Sequence, residues 1–130
     1  MHTYKRAGTV IFVSNRSPEP AVAQDIEAHG LIWQWAPTIR EAVGLLSFAR
    51  EKTVIVTELA LADGNWRDLV ERIKCIGIST SVVLVTSCST AELWWDALEC
   101  GIDDILPAPL KASRLCILLE ARREDRFLGM

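Results

Sequence analysis

Thr53-Val-Ile-Val-Thr57 runs straight into Glu58-Leu-Ala-Leu-Ala-Asp-Gly64, and this junction decides the architecture. The first five residues are β-branched throughout, which suits a strand. Ala62-Asp63-Gly64 is a loop signal. Beyond it Trp66, Leu69, Ile73 and Ile76 recur at helical spacing, with a stop near Gly77. One strand, one loop and one amphipathic helix make a βα unit.

The same alternation extends in both directions. Upstream, Thr9-Val-Ile-Phe-Val-Ser14 is a continuous apolar run, the mark of a strand buried on both faces. Ser17-Pro18-Glu19-Pro20 opens a helix whose inward pair is Val22 and Ile26, and Gly30 stops it. Leu31-Ile-Trp-Gln-Trp-Ala36 is the second strand, with Trp33 and Trp35 on one face, expected to pack in the core. Pro37-Thr38 begins a helix carrying Ile39, Ala42, Leu45, Leu46 and Ala49 inward. Downstream, Ser81-Val-Val-Leu-Val-Thr86 is a fourth strand, and Ser89-Thr90 caps a helix from Ala91 to Cys100. Asp104-Ile105-Leu106 is a short fifth strand, Pro107-Ala108-Pro109 a turn, and Lys111 to about Arg123 the last helix, with Leu115, Leu118 and Leu119 inward. Five strands alternating with five helices imply a parallel sheet with helices on both faces.

Composition bounds the function. The 130 residues fit one domain at roughly 150 residues each. Hydrophobic residues are 50% and charged residues 24%, an ordinary globular balance. Lys and Arg number 14 against 17 Asp and Glu, a net charge of −3, whereas a nucleic-acid domain usually carries a basic excess. No apolar run approaches the roughly 18 residues of a membrane span. The opening Met1 to Arg6 lacks a signal-peptide cleavage pattern. Cys75, Cys88, Cys100 and Cys116 form no CxxC, so they read as reduced, mostly buried thiols of a cytoplasmic protein. The run Arg122-Arg123-Glu124-Asp125-Arg126 reads as a solvated helix end.

In open α/β sheets ligands bind beyond the carboxyl ends of the strands. That rule selects Ser14-Asn15-Arg16, Trp35-Ala36, Thr57-Glu58-Leu59, Thr86-Ser87-Cys88 and Pro107-Ala108-Pro109. No GxGxxG, GxxxxGK[ST] or GxSxG motif is present. His2 and His29 lie away from these strand ends, so a nucleophile–histidine pair is hard to build. The chain is therefore expected not to be an enzyme and to take no small-molecule substrate.

The order and spacing resemble a receiver domain of the bacterial response-regulator family of two-component signalling, over residues 9 to 123. Glu58-Leu-Ala-Leu-Ala-Asp-Gly64 is similar to the family's Asp-Leu-x-Leu-Pro-Asp-Gly loop. Gly101-Ile-Asp-Asp-Ile-Leu-Pro-Ala-Pro-Leu110 is similar to its Gly-Ala-Asp-Asp-Tyr-Leu-x-Lys-Pro-Phe. Val85-Thr86-Ser87 resembles its Leu-Thr-Ala. The resemblance implies a flavodoxin-like (βα)5 three-layer sandwich with strand order 2-1-3-4-5. It makes residues 1–130 one receiver-like domain with core 9–123 and terminal extensions 1–8 and 124–130; because the sequence stops just after the fifth helix, no output domain is expected within it.

Departures from the family pattern decide the expected chemistry. Ser14 and Asn15 fall where the family holds Mg²⁺ on two acidic residues, so metal binding is expected weak or absent, and no cofactor is expected. The phosphate-accepting Asp falls at Glu58, one methylene longer, which misplaces its oxygen for in-line attack. The phosphoryl-pairing Lys falls at Ala108, and the aromatic switch residue at Ile105; Thr86 alone keeps its expected type. This pattern is that of a pseudo-receiver, independent of phosphorylation and acting by protein–protein interaction. Glu58 is a candidate built-in charge reaching Thr86.

Ala91, Trp95 and Leu98 share a helix face that Ile102 extends, away from the stripe of Leu93, Ala97 and Cys100 with Trp94 beside it. In receivers the fourth helix, fifth strand and fifth helix form the usual dimer and output surface, so a protein partner or a second copy is expected there. Neither nucleic acid nor membrane is expected as a partner. One alternative is a receiver still phosphorylated by a histidine kinase at a non-standard site such as Asp63. Another is a small flavodoxin-like flavin carrier using the Ser14 to Ser17 turn, against which Pro18 and Pro20 remove backbone donors.

Overall fold

The structure, a computed structural model, describes residues 8–49 and 52–128, with residues 121–128 as helical backbone alone. The charge run 122–126 therefore lies outside the described side chains. The chain begins with β1 (Gly8–Val13), α1 (Pro20–Ala28), β2 (Leu31–Ala36), α2 (Ile39–Ser47) and β3 (Thr53–Thr57). A small pair follows, β4 (Ala60–Leu61) and β5 (Gly64–Asn65), and then α3 (Trp66–Ile76) and β6 (Ser81–Val85). It closes with α4 (Ala91–Cys100), β7 (Asp104–Leu106) and α5 (Ala112–Leu128).

The long strands form one five-stranded sheet in the order β2-β1-β3-β6-β7, every pairing parallel. Counted over these five strands alone, the order is the expected 2-1-3-4-5. Successive side chains of a strand point to opposite faces, so the apolar runs need cover on both sides. Ile11, Val13, Ile55, Val82, Leu84 and Ile105 point to the face covered by α2, α3 and α4. Val10, Phe12, Val54, Val56, Val83 and Leu106 point to the face covered by α1 and α5. The structure is a three-layer sandwich.

Helix ends follow local chemistry. Thr90 Oγ1 accepts from Leu93 N and opens α4. Asn65 and Asp68 form a reciprocal capping box on α3, which ends at Gly77 in the left-handed region. Asp25 of α1 reaches across to accept from Ala112 N at 2.8 Å, so α1 caps α5.

Several expectations need correction. Ile102 is 4% exposed and belongs to the core, not to an outer apolar face. Gly101, at φ 94°, reverses the chain after α4, and Ile102 N then bonds Ala97 O, which turns the side chain inward. Trp35 is exposed, because it lies near the end of an edge strand and its indole Nε1 instead donates to Ser14 O at 3.0 Å. Trp33 does pack inward, edge-on to Phe12, with its Nε1 donating to Glu27. Trp66 is core, but Ile76 at the last turn of α3 is exposed and Val70 takes its place. Trp94 is exposed: α4 turns Ala97 inward and leaves Asp96 facing α3, where it pairs with Arg67. The cysteines are free thiols, as expected, but none is fully buried; Cys75 and Cys88 are exposed on a helix flank and a loop.

Candidate functional site

The carboxyl ends of β1, β3, β6 and β7 bring the candidate residues to one end of the sheet. The ladder continues one residue past the strands, with Glu58 N donating to Val13 O and Thr86 N to Leu106 O. This fixes where Ser14, Glu58 and Thr86 leave the sheet.

Glu58 meets Asn15. Its Oε1 accepts from Asn15 N at 3.0 Å, across 43 residues of sequence. Asn15 Nδ2 in turn donates to Ala60 O at 3.3 Å. Ser14 Oγ donates to Arg16 O at 2.7 Å, and Ser14 O receives the Trp35 indole. The turn after β1 is thereby tied to β2 on one side and to the β3–β4 connection on the other. Thr86 takes no part in this clasp: its Oγ1 accepts from Cys88 N at 3.1 Å and turns the loop back on itself. The expected reach of Glu58 to Thr86 is not made: Glu58 accepts from Asn15 N, and the Thr86 hydroxyl engages Cys88.

Ile105 is buried among the residues under α2, α3 and α4. Ala108 is exposed in the turn after β7, with a cis bond to Pro109. A methyl group there supplies no charge.

These groups do not fit a Mg²⁺ ion. Such an ion wants hard, preferably carboxylate, oxygen. The side chains of Ser14 and Asn15 face carbonyl oxygens as donors, and Glu58, the one carboxylate of the set, already accepts a backbone N–H. Among the described residues no cluster of three or more His, Cys, Asp or Glu could hold a metal.

Asp63 has a different occupation. Its Oδ1 accepts from Ile39 N at 2.8 Å and its Oδ2 from Arg40 N at 3.3 Å. Thr38 Oγ1 accepts from Glu41 N at 3.1 Å. The first three N–H groups of α2, which have no partner inside the helix, are thus all satisfied, two of them by a residue from another loop. The hydrogen bond from Ile39 does most to hold the Asp63 carboxyl below its ordinary value; partial burial opposes it, and Arg40 N–H and the Arg72 charge add to it. Gly64 beside it sits at φ 153°, a conformation that strains any residue with a Cβ, and a Cβ there would also crowd Asp68 Oδ2 at 2.6 Å and Ile39 Cδ1 at 3.0 Å. Neither the short β4–β5 pair nor this cap has a local sequence signal: Asp63 and Ile39 lie 24 residues apart.

The turn considered for a phosphate is poorly made for one. Glu19 is the N-cap of α1 and Pro20 its first residue, placing an acidic side chain and a missing donor there.

No family model matches the chain, and no curated protein does. Solved structures do. The signal receiver domain of a LuxO repressor protein from Vibrio parahaemolyticus superimposes with a TM-score of 0.80 at 20% identity, over 97% of this chain and 99% of that one. A CheY-like receiver domain from Methanospirillum hungatei gives 0.74 at 15% identity, over 97% and 100%. The beryllofluoride-activated NtrC4 receiver domain, solved as a dimer, gives 0.71 at 19% identity, over 92% and 98%. The chain has the fold of response-regulator receiver domains.

Proposed function

We propose that the protein is a receiver-like module of a signalling pathway that works without phosphorylation and without catalysis, by binding another protein. The observation that carries this is the clasp at the end of β1 and β3. Phosphoryl transfer needs a positioned nucleophile and a charge-neutralising metal. Here the only carboxylate at the acceptor position is bound to Asn15 N, and the side chains beside it are a hydroxyl and an amide.

Asp63 as a substitute acceptor is disfavoured by its two hydrogen bonds to α2. On this reading Ser14 and Asn15 are the degenerate acidic-pocket positions, Glu58 the acceptor-equivalent, Thr86 and Ile105 the switch positions, and Ala108 the lysine-equivalent.

The output surface is the face of α4, β7 and α5, where Trp95, Leu98 and Ile117 are 68%, 57% and 62% exposed and Ala91 is open to solvent. Ile102 is no part of it. Exposed Trp is the residue most enriched in binding hot spots. The module is one domain, and the cytoplasm is the compartment where such signalling takes place. Among the described residues no helix is long and apolar enough to cross a membrane.

The test is the intact mass after incubation with acetyl phosphate and Mg²⁺, beside an untreated control. No mass increase is expected, and Trp fluorescence is expected not to respond to Mg²⁺. A phosphoryl adduct that hydroxylamine removes would overturn the proposal.

A further inference from the structure

The two edges of the sheet are built differently. One edge is β7, three residues long, carrying Asp104, which Arg114 of α5 approaches at 3.4 Å. Short length and a charged residue are the devices by which proteins keep a strand edge from pairing with another chain. The other edge is β2, six residues long, of sequence Leu-Ile-Trp-Gln-Trp-Ala. It holds no charge and no proline, and its registry with β1 is unbroken from Gly8↔Leu31 to Val13↔Ala36, so no bulge bends it away.

The register shows which backbone groups face outward. Ser14 N donates to Ala36 O, so Ala36 turns its peptide groups toward β1. Residues alternate in a strand, and Ile32 and Gln34 therefore do the same. Leu31, Trp33 and Trp35 turn their N–H and C=O groups away from the sheet. Among the described residues no other strand pairs with this edge. A row of free N–H and C=O groups is satisfied in kind only by another strand.

We propose that β2 is a self-association edge, at which a second copy of this chain pairs antiparallel across a two-fold axis and joins the two sheets into one. A second copy is the occupant that fits, for three reasons. The strand is neutral, so two copies meet without like-charge repulsion. A two-fold pairing centred on Trp33 sets each Leu31 opposite the other copy's Trp35 and uses all the outward groups at once. It also keeps Trp33 and Trp35 of both copies on one face, where aromatic cross-strand neighbours stabilise a sheet, and it closes, leaving no further β2 edge. This surface lies at the end of the sheet opposite the α4–β7–α5 face, so the two can be occupied together.

The experiment is light scattering coupled to size exclusion, on the full chain, with amide hydrogen exchange. The wild type is expected at twice its 14.5 kDa chain mass, with the amides of Leu31, Trp33 and Trp35 protected on concentration. Gln34→Lys places a charge on each side of the two-fold at an exposed position and is expected to halve the mass while leaving the circular dichroism unchanged. Gln34→Ala should stay dimeric. Trp95→Ser, on the other face, should also stay dimeric. A wild type that remains monomeric throughout its soluble range would overturn the proposal. So would a dimer that survives Gln34→Lys, or one that Trp95→Ser breaks, which would assign self-association to the α4 face instead. None of these outcomes depends on phosphorylation.

Discussion

Asp63→Ala would remove the cap that α2 borrows from a distant loop. Two contacts are lost, one from Ile39 N at 2.8 Å and a longer one from Arg40 N at 3.3 Å. Losing a capping side chain costs about 0.5–2 kcal/mol, and a carboxylate at a helix N-terminus gains about 0.3–1 kcal/mol more from the helix dipole. Asp63 is solvent-exposed, which screens the charge and argues for the lower part of these ranges. We expect a loss of about 1–2 kcal/mol at neutral pH, a fall in melting temperature of roughly 3–8 °C for a domain this size. Asp63→Asn keeps an acceptor for Ile39 but forfeits the charge and the longer contact from Arg40 N, because its Nδ2 is a donor, so its loss should be smaller than that of Asp63→Ala.

The pH dependence gives the sharper check. The folded state lowers the Asp63 pKa below 3.8, so it prefers the ionised carboxylate. That contribution is present above the unfolded value and is lost as pH falls through the lower folded value. Urea titrations of the three proteins should therefore show the wild type and Asp63→Asn converging below pH 3.8, while Asp63→Ala stays least stable. An Asp63→Ala protein with the wild-type midpoint at neutral pH would refute the reasoning. So would a wild-type advantage over Asp63→Asn that persists undiminished in strong acid.

Two further outcomes test the core and the thiols. Leu115→Ala, at a fully buried position on the inner face of α5, should cost about 2–5 kcal/mol in urea unfolding; a change under about 1 kcal/mol would mean that this layer is not packed as described. Under alkylation followed by peptide mass mapping, Cys75 and Cys88 should label first and Cys116 last. Cys75 and Cys88 are exposed, whereas burial, with Glu120 and Asp25 nearby, raises the Cys116 pKa and keeps it protonated. Early labelling of Cys116 would contradict its environment.

Much of the fold was legible because its signals are local. Thr53–Thr57 and Ser81–Val85 announce themselves by β-branching, and the breaks at Gly30, Gly77 and Gly101 by composition. The site was legible only as a set of positions. That Ser14, Asn15, Glu58 and Thr86 sit at strand ends follows from the alternation of elements. That Glu58 turns to Asn15 while Thr86 closes on Cys88 does not, because several donors lie within reach of a side chain at a strand end and only the packed turn selects one. Trp35 and Ile102 went astray for a related reason. Periodicity assigns a face, but exposure depends on what lies beside it: nothing stands outside β2 to cover Trp35, and Gly101 redirects Ile102.

By itself the sequence determined that this is a βα-alternating domain with a parallel sheet, because a run of buried strands and amphipathic helices has few other ways to hide its apolar surface. It also determined which chemistry is missing, since no arrangement in space can turn Ser14, Asn15 or Ala108 into a carboxylate or an ammonium. Tertiary structure alone decided how the remaining polar groups are spent. Asp63 serves α2, Asp25 serves α5 and Glu58 serves the turn after β1, each over a separation that no local pattern spans. Hydrogen bonds are short-ranged and directional, and so the partner of a carboxylate is settled only when the chain has brought both groups to the same place.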